Sequence, residues 1–200
     1  MKKLFLFLLL SALISSVFGE SKKDSTRFKL QTIDLAAGKS FLSGGYTLRL
    51  GFKSANANTL VTLKDDKVFL NHVYPVPKIK SVLGPSVGYF KNVPFAGAIA
   101  KFIPTDFIST LHWAGYAFGE PEAELSFKPS FLFLINSVDV EIWKFKTYYC
   151  HVKFMQLPAK HIVGVSYQHQ MTKNIALYTN VGYDFTNSEQ LLQLGVAWNK

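Results

Sequence analysis

The sequence predicts an all-β fold: a closed, antiparallel, up-and-down transmembrane β-barrel of roughly eight to twelve strands. Three observations predict it. Residues 161–200 read as three consecutive two-faced strands. The second face of those strands is built from small and uncharged polar residues. Aromatic residues fall near the strand ends, about a strand length apart.

The C-terminal strands carry the argument. In the first, Val163, Val165 and Tyr167 alternate with Gly164, Ser166, Gln168 and Gln170. In the second, Ile175, Leu177, Val181, Tyr183 and Phe185 share a face interrupted only by Thr179, and Ala176, Tyr178, Asn180, Gly182 and Asp184 share the other. In the third, Leu192, Leu194, Val196 and Trp198 alternate with Gln193, Gly195, Ala197 and Asn199. Successive side chains on a strand point to opposite faces, so this period of two gives one apolar and one polar or small face. A water-soluble sandwich turns its apolar face inward and covers the other with Lys and Glu. Gly, Ala, Ser, Asn and Gln suit the crowded, hydrated interior of a narrow barrel whose apolar exterior meets lipid. With the chain ending on the inner side, Tyr167 and Trp198 lie at the inner rim and Tyr183 and Phe185 at the outer rim, as two aromatic girdles.

These features resemble the small bacterial outer-membrane β-barrel proteins. Such chains end in a signal read by the barrel-assembly machinery: a polar residue, a glycine two positions on, and aromatics three and five positions beyond it. Gln193, Gly195 and Trp198 match, whereas Lys200 stands where the final aromatic belongs. The resemblance covers the strand pattern from about Phe41 onward. It implies an outer-membrane location, with lipid, lipopolysaccharide and the assembly machinery as partners.

Taken in order, residues 1–19 read as a secretory signal peptide, with Lys2 and Lys3 ahead of an apolar run from Leu4 to Ile14. Residues 20–27 form a polar lead-in, and residues 28–200 a single barrel domain. Phe28 to Leu35 is a first strand and Ala36 to Lys39 a turn. The second strand sets Leu42, Gly44, Tyr46, Leu48, Leu50 and Phe52 against Ser43, Gly45, Thr47, Arg49, Gly51 and Lys53. Thr59 to Leu63 and Val68 to Tyr74 form a hairpin around Asp65-Asp66-Lys67. Pro75 and Pro77 then break the ladder, because proline has no amide donor. Leu83 to Tyr89, Phe95 to Ile103 and Phe107 to Phe118 follow as strands. Residues 119–124 are an acidic, solvated turn. Phe127 and Ser130 to Ile135 form a strand with a turn at Asn136-Ser137-Val138-Asp139, and Val140 to Met155 is the next.

Removing residues 1–19 takes the formal charge from +9 to +7. On an exported chain this balance points to anionic lipopolysaccharide or anionic solutes and away from nucleic acid. Cys150 is the sole cysteine, which excludes an intramolecular disulfide and leaves no metal-ligand spacing. The sequence calls for no cofactor and no metal.

The polar residues expected on the lumen face are Arg49, Lys53, Gln168, Asn180 and Gln193. The two cations either bias a pore towards anions or pair with inward acids such as Asp184 to fill a closed lumen. Outer-membrane lipid A deacylases carry a His, a Ser two positions later and an acid on a neighbouring strand. His169, Thr172 and Asp184 resemble that set faintly, although Met171 occupies the serine position. The expectation is therefore an outer-membrane barrel with a structural or narrow-pore role. The alternatives are a lipid A-modifying hydrolase and a secreted soluble β-barrel that binds an apolar ligand.

Overall fold

The computed structural model describes residues 29–39, 45–64, 67–90, 93–118, 131–154 and 157–200. The predicted signal peptide and lead-in, Phe28, residues 41–44 of the second predicted strand, Asp65 and Asp66 of the predicted hairpin turn, the acidic cluster at 119–124, Phe127, Ser130 and Met155 lie outside them. Twelve strands follow one another: β1 (Lys29–Gly38), β2 (Tyr46–Lys53), β3 (Asn58–Lys64), β4 (Lys67–Val76), β5 (Ser81–Phe90), β6 (Val93–Phe102), β7 (Ile108–Ala117), β8 (Phe131–Ile142), β9 (Phe145–Phe154), β10 (Lys160–Gln170), β11 (Ile175–Asp184) and β12 (Glu189–Asn199). Each pairs antiparallel with its neighbours, and β1 pairs with β12 to close the ring. That seam sets Ile33 against Trp198 and Leu35 against Val196. Closure leaves no strand edge, which a membrane interior could not hydrate.

The three C-terminal strands follow the sequence reading. Leu194 is 57% exposed on the exterior whereas Ile162, on the inward face of β10, is 0% exposed. Leu192 and Val196 point outward beside Leu194, without a second protein layer over them. Residues 171–174 connect β10 to β11, and residues 185–188 connect β11 to β12.

Two predicted boundaries are corrected. Asn136-Ser137-Val138-Asp139 is not a turn, and β8 runs through it. Asn136 Oδ1 lies 2.8 Å from His112 Nδ1 across the β7–β8 ladder. The Asp139 carboxylate pairs with Lys146 at 2.6 Å across β8–β9. Cross-strand partners of this kind hold polar residues in a strand that local composition assigns to a loop. The turn lies instead at Trp143-Lys144, where Trp143 takes a left-handed φ of 58°. Pro75 is the second correction. It sits inside β4, opposite Val82, near the strand's end.

The lumen is not lined by small residues throughout. The inward faces of β4 and β6–β8 carry Phe69, Phe95, Trp113 and Phe133, all buried. Phe69 and Trp113 meet edge-on at 5.0 Å, Phe95 and Phe133 at 5.3 Å, and Trp113 and Phe133 at 5.4 Å. Edge-to-face pairs each add about 0.5–1.5 kcal/mol beyond area burial. Space for these rings comes from glycines on the same inward face. Gly97 and Gly115 are partners across β6–β7, and the Phe133 ring lies over Gly115. The matching outward positions of β6 are Ala96, Ala98 and Ala100. On β6 the larger residues therefore face in and the small ones out.

Candidate functional site: the lumen

Beside the aromatic cluster the barrel encloses a cavity of about 400 Å³, lined chiefly by β1, β2 and β8–β12. Its wall is polar for a physical reason: β10–β12 put Ser166, Gln168, Asn180 and Gln193 on the inward register. Asn180 Nδ2 donates to Gln193 Oε1 at 3.2 Å, which ties β11 to β12. Two tyrosines lie along the wall of this cavity. The Tyr178 ring lies over Gly195, and its hydroxyl donates to Asp34 Oδ1 at 2.5 Å. The Tyr148 ring lies over Gly164, and its hydroxyl reaches Gly182.

Two acid–base pairs face this cavity. Arg49 Nη1 donates to Asp34 Oδ2 at 3.0 Å across β1–β2. Lys146 pairs with Asp139 across β8–β9. The two pairs sit five strands apart in a ring of twelve, on nearly opposite walls. Lys101 lies within electrostatic reach of Lys146, Asp139 and Glu141. At the end of the barrel where the chain terminates, the inward register carries Lys29, Arg49, Lys53, Lys101 and Lys146 against Asp34, Asp139 and Glu141. That end therefore has an excess of positive charge. At the opposite end Lys39 pairs with Glu189 at 2.9 Å, Lys160 lies 3.8 Å from Asp184, and Lys64 and Lys67 are buried on the inward register.

Each residue singled out in the sequence can now be placed. Arg49, Gln168, Asn180 and Gln193 line the cavity. Lys53 does not: it ends β2 opposite Lys29, exposed at the rim. Arg49 does not pair with Asp184. Its acid is Asp34, directly across the β1–β2 ladder, a pairing that only the register reveals. Tyr167 stacks near Phe145 at 5.1 Å, and Trp198 pairs with Ile33 and Ile175, both towards the end holding the chain's C-terminus. Tyr183 and Phe185 meet edge-on at 5.1 Å at the opposite end.

His169, Thr172 and Asp184 do not form a triad. His169 pairs with Leu177 on the outward face, and Asp184 is seven residues further along β11, roughly 23 Å away at ordinary strand rise. The Thr172 hydroxyl is a turn acceptor for the Asn174 and Ile175 amides. Asp184 accepts from the Thr186 amide and from Asn187 Nδ2 at 2.9 and 2.8 Å. Among the described residues no group of three or more His, Cys, Asp or Glu could hold a metal.

The sequence reading missed the aromatic cluster, Asp34, Tyr148, Tyr178 and the Asp139–Lys146 pair. For Phe95, Trp113 and Phe133 a signal existed. Phe95, Gly97 and Ile99 alternate with Ala96, Ala98 and Ala100, but period alone does not say which face is inside.

A closed antiparallel barrel with an apolar exterior and a partly polar lumen defines a class, the transmembrane β-barrel of outer-membrane type. No protein-family model matches the chain, and no curated protein matches it. Solved structures do. A KdgM porin superposes with a TM-score of 0.57 at 16% identity, covering 84% of this chain and 99% of that one. A KdgM porin in complex with disordered oligogalacturonate gives 0.55 at 18% identity with the same coverage. At that identity the likeness establishes the fold.

Proposed function

We propose that the chain is a narrow outer-membrane pore that favours small anions, exported through a signal peptide at residues 1–19 and inserted with the help of the barrel-assembly machinery. The carrying observation is the polar cavity beside the aromatic cluster, with a cationic excess at one end of the barrel. Eight-strand barrels are filled by side chains and large porins hold open channels. Twelve strands fall between, and here one side of the lumen is packed while the other keeps room for solute. Positive charge in a low-dielectric sleeve raises the local concentration of anions. A carbohydrate acid of the kind bound to the second KdgM structure is one such anion. The exterior fits a bilayer: Leu, Val and Ile dominate β10–β12, and aromatic residues sit towards both ends. Tyr167 and Trp198 would anchor the inner interface, and Tyr183 and Phe185 the outer one. The outer leaflet would supply lipopolysaccharide as a neighbour.

The aromatic cluster supports a second reading, a sealed structural barrel. Planar-bilayer recording separates the two. A pore gives discrete conductance steps, and in a salt gradient its reversal potential favours chloride. Lys101→Glu combined with Lys146→Glu should move the permeability ratio severalfold towards cations. Absence of steps above the bare bilayer from correctly folded protein would sink the pore reading and leave the sealed barrel.

A further inference from the structure

All five histidines lie on strands whose register turns them outward. His72 pairs with Thr59, His112 with Asn136, His151 with both Asn136 and His161, and His169 with Leu177. None points into the lumen. Lys153, opposite the exposed Leu134, joins them. Among the described strand residues the outward register carries no carboxylate. An apolar wall that admits imidazoles and an ammonium but no acid has a sign.

Three of these groups, His151, His161 and Lys153, come together on the β9–β10 wall near the end that carries Tyr183 and Phe185. The His151 and His161 rings are 5.2 Å apart. Tyr149 Oη lies 2.8 Å from His161 Nδ1, and its ring stacks on the imidazole at 6.2 Å. With the phenol donating to Nδ1, the His161 proton sits on Nε2, which is left as a donor. Lys153 Nζ donates to the Leu157 carbonyl at 2.8 Å, which places its ammonium beside the β9–β10 connection. An ammonium carries three donors, so this bond leaves two.

We propose that His151, His161 and Lys153 form a binding site for the phosphate of an anionic glycolipid of the outer leaflet. The inference rests on the outer-membrane reading. Three features support it. The groups are donors, and among the described strand residues the outward face around them carries no acid. Tyr149 orients His161. The neighbouring aromatics sit where an interfacial belt meets lipid headgroups. Phosphate offers several strong acceptor oxygens to such a set, and hydrogen bonds with an ionised partner are stronger than neutral ones. The headgroup sits against His161 and Lys153 while the acyl chains lie along the Val163 and Val165 wall.

The test uses the full-length mature barrel folded in detergent, with diphosphoryl lipid A as the probe and native mass spectrometry as the readout. Wild-type protein should retain lipid A. The H151Q/K153Q/H161Q variant should bind it at least tenfold more weakly, with unchanged heat-modifiable mobility and unchanged bilayer conductance. Lipid A stripped of both phosphates should bind wild type and variant alike. Undiminished lipid A binding by the triple variant, or equal wild-type affinity for the dephosphorylated lipid, overturns the site while the pore reading stands. A wild-type chain that fails to enter the outer membrane in cells overturns both.

Discussion

Replacing Gly97 with valine should abolish folding of the barrel. A Cβ at this position would run into the Ala114 carbonyl oxygen and sit 2.6 Å from Gly115 Cα. Both obstacles are backbone on the neighbouring strand, so no side chain can swing aside. Overpacking in a closed structure costs about 1–3 kcal/mol and more where the backbone must move. Here the ladder between β6 and β7 must open, and the expected loss is above that range. Heat-modifiable mobility on an unboiled gel should disappear. Gly195→Ala is the informative contrast. The atoms its Cβ would meet all belong to the Tyr178 ring, which borders the cavity and can rotate into it. That variant should fold and lose roughly 1.5–3 kcal/mol, the worth of a hydrogen bond to a charged group such as that from Tyr178 to Asp34. Urea titration in detergent measures it. Equal behaviour of the two glycine variants would contradict the packing described for β6–β7.

Truncating Trp113 and Phe133 to alanine should widen the conducting path. Both rings are buried, and they fill the side of the lumen opposite the polar wall. Large-to-small changes of this kind cost about 3–5 kcal/mol each. The double variant should therefore unfold at distinctly lower urea. In protein that remains folded, single-channel conductance should rise severalfold over wild type. Phe133→Leu keeps most of the volume, and both effects should shrink in step. A conductance unchanged by the double truncation would mean that solute never passes beside the cluster and that the polar cavity alone sets the resistance.

The fold was legible because strand period is a local property. The alternation in 161–200 needs no tertiary information, and neither does the inference from small polar residues to a hydrated interior. The pairing of Arg49 was not legible. Asp34 and Arg49 are fifteen positions apart, and only the β1–β2 register sets them opposite each other. The same reason hid β8. Asn136 and Asp139 read as turn residues until His112 and Lys146 supply their partners. The inward place of Phe95 and Trp113 was not legible for another reason: alternation alone does not say which face is inside. An apolar face was equated with the exterior, and this rule fails where glycines on the inward face make room for rings. Tyr148 and Tyr178 carried no assigned role because a lone tyrosine on a small-residue face gives no sign of the cross-strand glycine beneath it.

The seam between β1 and β12 has a kinetic meaning. Its partners lie at the two ends of the chain, so the last ladder cannot form until every other strand has been made and ordered. Long-range pairing of this kind is slow, because loop-closure entropy is lost before the contacts are gained. A nascent chain halted before residue 189 would retain two open edges, each a template for sticking to other chains. Ring completion is thus an all-or-none step, in which the arrival of β12 covers both exposed edges at once.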